Sequence, residues 1–250
     1  CCNMCMTTAI GGWPGPDPWV PSDWNHRQST YLEFWAQFKA PAEVRNTRET
    51  AKKTCKEIKA ADGGASDGFY WITLGTNSTY VVQCDMSTDG GGWTLMYANY
   101  AREASSGTWA LSWDTTINIG KRFSNTATKD GFLMPLKYWN TFNTVRAASD
   151  ASGSILLNNF SLAAGSYALT FDDTGNGGMN YHRNRPLSTV DRDNDEWGNH
   201  CANYAKTFGW YGACCHMCMT TAVGGWPGPN AWWPSDWNHR QANYLVFWGR

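Results

Sequence analysis

Residues 191–216, DRDNDEWGNHCANYAKTFGWYGACCH, bring alternating aspartates, closely spaced cysteines and a group of aromatic rings into 26 positions. Asp191, Asp193 and Asp195 are spaced two apart. A tightly turned loop with that spacing aims several carboxylate and backbone oxygens at one point, the arrangement that a hard cation such as Ca2+ requires. It is not an EF-hand, because Glu196 stands at the sixth position and Ala202 at the twelfth, where that loop needs Gly and Glu. From the residues alone, a calcium loop and a solvated acidic turn both stay open. Trp210, Tyr211 and His216 flank Cys214 and Cys215. They offer the aromatic faces and polar tips of a sugar-binding pocket, or the packing of a core beside a disulfide.

Working outward, composition bounds the partners. A length of 250 residues is enough to bury a full core, as one large domain or two small ones. A net charge of −1 with 16% charged residues supplies no basic field for nucleic acid or an anionic membrane. No apolar run is long enough to span a bilayer, and no charged-then-apolar leader opens the sequence, so a secreted protein would be represented here by a mature or excised piece. Nine cysteines, 16 tryptophans and sequons at Asn77 and Asn159 describe a secreted, extracellular, disulfide-bearing domain. Thiols serving as zinc ligands would be expected in two CxxC motifs about 15–20 residues apart, whereas the two CxxC matches, Cys2–Cys5 and Cys215–Cys218, are repeat images at an offset of 213.

Residues 1–37 recur at 214–250 at an offset of 213, with 27 of 37 positions identical. That is a repeat at domain length, too long for a solenoid unit. The reading is therefore a complete unit over 38–250, preceded by a copy of its own tail at 1–37, either the end of a preceding unit or an exchanged segment. So short a proline- and glycine-rich piece cannot fold alone. Within the unit, the segment around 44–61 has Val44, Ala51, Cys55 and Ile58 at helical spacing and predicts a short amphipathic helix. FYWITL and STYVVQCDM predict a hairpin, and STDGGGWTLMYANY a turn and a further strand. Cys55 and Cys84 bracket the hairpin, and a bridge between them would contribute about 2–4 kcal/mol. Residues 243–248, NYLVFW, predict a final buried strand.

CKEI (55–58), DGFYWI (67–72), VQCDM (82–86) and DGGGWTL (89–95) resemble the opening of a fibrinogen-related domain, the family of ficolins, tachylectins and fibrinogen globular heads. The resemblance resumes at YHRNRPLST (181–189), DRDND (191–195), NHCA (199–202), Trp210-Tyr211 and Cys215-His216. It implies an α+β globular domain, mainly antiparallel sheet with few short helices and a loop-rich calcium and pocket subdomain. Its parts would be an N-terminal part (50–96), a central part (97–180) and the calcium and pocket subdomain (181–250). Disulfides Cys55–Cys84 and Cys201–Cys215 are implied. So is calcium held by Asp191 and Asp193 with backbone carbonyls near Asp195 and Trp197. The resemblance further implies a ligand pocket using Trp210, Tyr211, Cys215 and His216, which in lectin members often takes acetyl groups. The sequence departs from the family where Cys214 precedes Cys215 and where GGWPGPNAWWPSDW replaces the usual tail.

Local links Cys214–Cys218 and Cys1–Cys5 use all the remaining cysteines but one, Cys2, and an odd cysteine in an oxidising compartment points to an intermolecular bond. The histidines at 26, 182, 200, 216 and 239 are scattered. The GxSxG match at Gly64–Gly68 lies between the predicted helix and the following strand, the reverse of the strand-to-helix turn that a nucleophilic serine needs, and no HExxH or phosphate-binding glycine loop is present, so a non-catalytic protein is expected. Two functions follow. One is a calcium-stabilised lectin for glycans or acetylated ligands, and the other a repeat unit of an extracellular fibre that binds further copies of itself through its tryptophan-rich tails.

Overall fold

Thr54 begins the first helix by accepting the Glu57 amide on its hydroxyl at 3.2 Å, while the Glu57 carboxylate accepts the Lys53 amide at 3.0 Å. The Thr54 cap, with Glu57 reaching back to the residue before it, sets helix α1 at Cys55–Ala61. The expected helix from 44 onward is therefore shorter than the periodicity implies. Thr47 and Thr50 hydrogen-bond to each other's backbone and hydroxyls, and such local bonds compete with helix formation. Val44 and Lys52 instead form parallel bridges to Phe69 and Ile72. The computed structural model describes residues 43–76, 78–100, 109–122, 131–149, 153–214, 219 and 244–250. The polypeptide divides into two units, Cys1–Lys39 and Ala40–Arg250, and the first lies outside the described residues. So do Asn77, Cys215, His216 and Cys218, and with them the expected Cys1–Cys5 link and the intermolecular bond expected of Cys2.

The second unit is built on one antiparallel sheet. The predicted hairpin is β1 (Gly68–Leu74) with β2 (Ser78–Asp85), paired from Gly68 opposite Cys84 to Leu74 opposite Ser78. After a 3-10 turn at Thr88–Gly90 the backbone enters β3 (Trp93–Tyr100). Gly91 makes that turn possible: its φ is 68°, and a side chain there would meet the Met86 carbonyl and the Lys59 Nζ. Short strands β4 (Lys121–Arg122) and β5 (Phe132–Leu133) pair with each other, and β5 pairs with β3. A 3-10 helix at Leu136–Thr141 leads into β6 (Thr144–Ser149) and β7 (Gly153–Asn158). The last strand, β12 (Tyr244–Gly249), inserts between β3 and β6, so the main order is β1-β2-β3-β12-β6-β7.

The end of the sequence therefore forms the middle of the sheet. Leu245 and Phe247 are fully buried on it, and Trp139 links Phe247 to Phe160 and Trp210 through rings about 6 Å apart. Met219 is anchored by its carbonyl, which accepts the Tyr97 hydroxyl at 2.5 Å and the Asn99 side-chain amide at 2.9 Å. Cys55 and Cys84 form a disulfide with Cα atoms 5.7 Å apart, which joins α1 to β2. Beyond the sheet lie a small hairpin, β8 (Ser161–Leu162) with β9 (Leu169–Thr170), and a one-turn helix α2 (Gly177–Asn180). The site region follows as β10 (Leu187–Ser188), α3 (Cys201–Ala205) and β11 (Gly209–Trp210). Among the described residues no helix is long and apolar enough to cross a membrane.

Candidate functional site

Strands β10 and β11 pair, with Leu187 opposite Trp210, and the residues between them make the acidic loop and α3. The loop opens with a tight turn in which Thr189 and Arg192 exchange backbone bonds at 3.0 Å. Asp191 ties this turn to the body of the domain, since its Oδ1 accepts the Trp113 amide and the Thr189 hydroxyl, both at 2.7 Å. Burial raises the Asp191 pKa, but these bonds and the Arg192 charge outweigh it and leave the carboxyl below the usual aspartate range. Asn194 then closes back on β10 through the Ser188 hydroxyl and the Leu187 carbonyl.

Asp193 and Asp195 converge. Asp193 Oδ1 accepts the Asp195 amide at 3.2 Å. Asp195 uses both oxygens, one for the Trp197 amide at 3.0 Å and the other for the Cys201 amide at 2.9 Å at the start of α3. Ligand atoms of Asp193, Asp195 and His200 all lie within 4.8 Å of one another. Burial, and then the neighbouring Asp193 carboxylate, hold the Asp195 carboxyl above its usual range despite the two amides it accepts. Two carboxylates crowded in this way are a fit for a hard cation, whose charge would remove the conflict and whose oxygen preference they meet. His200 caps α3 by accepting the Asn203 amide on Nδ1 at 3.1 Å, which occupies that nitrogen. The trio differs from the expected ligand set. Asp191 stands outside it, held by Trp113 and Thr189, and His200 enters it; the signal for His200 was its place as the residue before Cys201.

The disulfide is also displaced from expectation. Cys201 is joined to Cys214, with Cα atoms 5.2 Å apart, and not to Cys215. The expected Cys214–Cys218 link is overturned with it. Of two adjacent cysteines one presents its sulfur to a given partner, and Cys214 is brought into range by its bridge to Gly212 and its positive φ of 79°. Trp210 and Tyr211 are the second correction. They are only 2% and 1% exposed. Trp210 donates its indole N–H to the Tyr167 carbonyl at 2.8 Å and packs on Trp139, while Tyr211 donates its hydroxyl to the Thr207 carbonyl at 3.1 Å. Both rings are therefore buried and offer no face to a ligand. Rings do reach the surface near the loop, where half-buried Trp197 meets exposed Tyr204 edge to face at 5.4 Å. Asn159 sits exposed in a turn with φ 50°, its side-chain amide donating to Asp172 at 2.9 Å.

The family model described as fibrinogen beta and gamma chains, C-terminal globular domain, matches residues 51–115 and 140–231. The protein belongs to that family. As a fibrinogen-like globular domain it is a non-catalytic recognition module, with the fibrinogen-like globe fold of mainly antiparallel sheet and few short helices. It is 31% identical over 174 residues to a fibrinogen-like protein 1-like protein of Gallus gallus, covering 61% of this sequence and 59% of that one. It is 25% identical over 175 residues to Ficolin-3 of Homo sapiens, covering 65% and 56%. The fibrinogen-like globe domain of human ANGPTL6 superposes with a TM-score of 0.64 at 20% identity, covering 80% of this sequence and 95% of that one. The matched region spans only 59% and 37% of the first curated fibrinogen-like relatives.

Proposed function

We propose that this fibrinogen-like domain is a secreted, extracellular recognition module whose acidic loop is ordered by calcium and whose ligands are glycans or acetylated groups. The observation that carries the reading is the pairing of Asp193 with Asp195, two carboxylates drawn together and, in the case of Asp195, partly buried with its ionised form disfavoured. The domain's own residues would hold the ion as follows. Asp193 and Asp195 supply the charged oxygens, and Asp195 at the same time fixes the start of α3, so ion binding and the position of the Cys201–Cys214 segment are coupled. The cation's part is charge neutralisation of the loop. The ligand face lies over the loop and α3, with Trp210 and Tyr211 as its buried floor and Trp197 and Tyr204 as outer rings of the kind sugars stack on.

The alternative, a repeat unit of an extracellular fibre, draws on the duplicated ends and on the Cys201–Cys214 link. At the offset of 213, the image of Cys214 is Cys1, so Cys1 replaces Cys2 as the cysteine whose partner lies in another copy or another segment. A glycan array with and without EDTA separates the two. A lamprey fibrin D-dimer of this fold was solved with the peptide ligand Gly-His-Arg-Pro-amide, so a peptide arm is included. Glycan binding that is lost on chelation and in Asp195→Asn supports the lectin. Absence of glycan binding, with reducible polymers linked through Cys1, replaces it with the fibre.

A further inference from the structure

The strand at the centre of the sheet has a near-duplicate at the other end of the sequence. Residues 244–249 read YLVFWG and are followed by Arg250, and residues 31–36 read YLEFWA and are followed by Gln37. The shared letters are those that any strand in this slot needs. Leu245 and Phe247 are fully buried, and their counterparts are Leu32 and Phe34. On that face alone either copy would fit between β3 and β6. We infer that the slot nevertheless discriminates between the copies, accepting 244–250 and excluding 31–37 through the three positions at which they differ.

Gly249 is the first. A β-carbon there would sit 2.5 Å from the Met96 Sδ and 2.8 Å from the Phe142 Cβ, with the Phe142 Cγ closer still. Met96 and Phe142 are themselves buried, so neither can yield without disturbing the core. Ala36 has that β-carbon. Arg250 is the second. Its backbone exchanges bonds with Thr144, its guanidinium donates to the Asp89 carbonyl at 2.8 Å, and it lies 4.2 Å over the Trp93 ring. Gln37 has neither the charge nor the guanidinium with its five donors. Val246 is the third, buried between its cross-strand partners Ala98 and Ala148. Glu33 would bring a carboxylate to that position, which is costly without a partner.

The device matters because a single polypeptide holds two candidate strands for one slot, and exchange of identical elements is a low-cost route to unwanted dimers. Two full-length variants test it. In Gly249→Ala with Arg250→Gln, which gives the C-terminal strand two of the N-terminal letters, the melting temperature falls by about 4–8 °C. In Glu33→Val, Ala36→Gly and Gln37→Arg together, the N-terminal copy gains the fitting letters. It then competes, so amide protection of 31–36 rises, that of 244–249 falls, and the dimer fraction in sedimentation rises at least several-fold over the parent protein. If the first variant proves insoluble, the second decides alone. Unchanged melting in the first variant, or protection and dimer fraction as in the parent in the second, overturns the inference.

Discussion

The sheet and the acidic loop region of this domain are held by different forces. In the sheet, Leu245, Phe247 and Tyr97 are fully buried together with Trp139 of the 3-10 helix, and its polar groups are satisfied mainly by the strand ladders. Over residues 189–214, Phe208 and Trp210 join the main core, a separate small cluster holds only Cys201, Ala202, Ala205 and Tyr211, and the acidic loop's backbone is fixed by aspartate side chains and one disulfide. The contrast extends to charge. Asp85 of β2 is partly buried, which opposes ionisation, but bonds from Thr88, Arg146 and Ser87 hold its pKa down at about 2. Asp195 in the loop is pushed the other way by burial and Asp193. Asp85 already faces an arginine, whereas Asp195 faces a second carboxylate.

The largest effect should come from the sheet. Phe247→Ala removes a fully buried ring at the centre of the sheet and is expected to cost about 3–5 kcal/mol in denaturant unfolding, with calcium making little difference to the loss. A similarly sized calcium dependence in this variant would dissolve the distinction between the regions. The double change Cys201→Ser with Cys214→Ser opens a bridge across a sequence separation of 13 and is expected to cost about 2–3 kcal/mol of stability in the same assay. Its effect should be local, with raised amide exchange over 189–214 and unchanged exchange in β12.

The smallest effect is that of pH, and here the regions should move in opposite senses. The Asp85 pKa is depressed, so its contribution is present above the ordinary value of 3.8 and is lost as pH falls toward about 2. The Asp195 pKa is raised, so in cation-free protein its contribution is fullest in acid and is lost as pH rises through its raised value, while calcium affinity weakens as pH falls through that value. Calorimetric titration of calcium across pH 4–7 (roughly the carboxylate range and above) checks the sign.

Much of the sheet was legible because its signals are local. The alternating apolar runs of β1 and β2, the glycine turn before Trp93 and the apolar letters of β12 each identify a strand without reference to anything distant. The position of β12 between β3 and β6 is not local, and nothing in YLVFWG names its neighbours. The loop was legible only as chemistry. Alternate aspartates announce a turn rich in oxygen, yet they do not say that Asp193 and Asp195 converge while Asp191 accepts the backbone amide of Trp113, distant in sequence. Likewise CC announces a disulfide without saying which sulfur faces Cys201, and Trp210-Tyr211 reads the same whether it lines a pocket or, as here, is buried. The helix expected from 44 failed where Thr47, Thr50 and Thr54 turned their hydroxyls to the backbone.

The most direct test of the calcium-ordered loop is hydrogen exchange of the full-length protein with calcium and with EDTA, read peptide by peptide. Calcium should slow exchange across 191–214 while leaving 244–249 as it was. Equal exchange over 191–214 in both conditions would contradict the account.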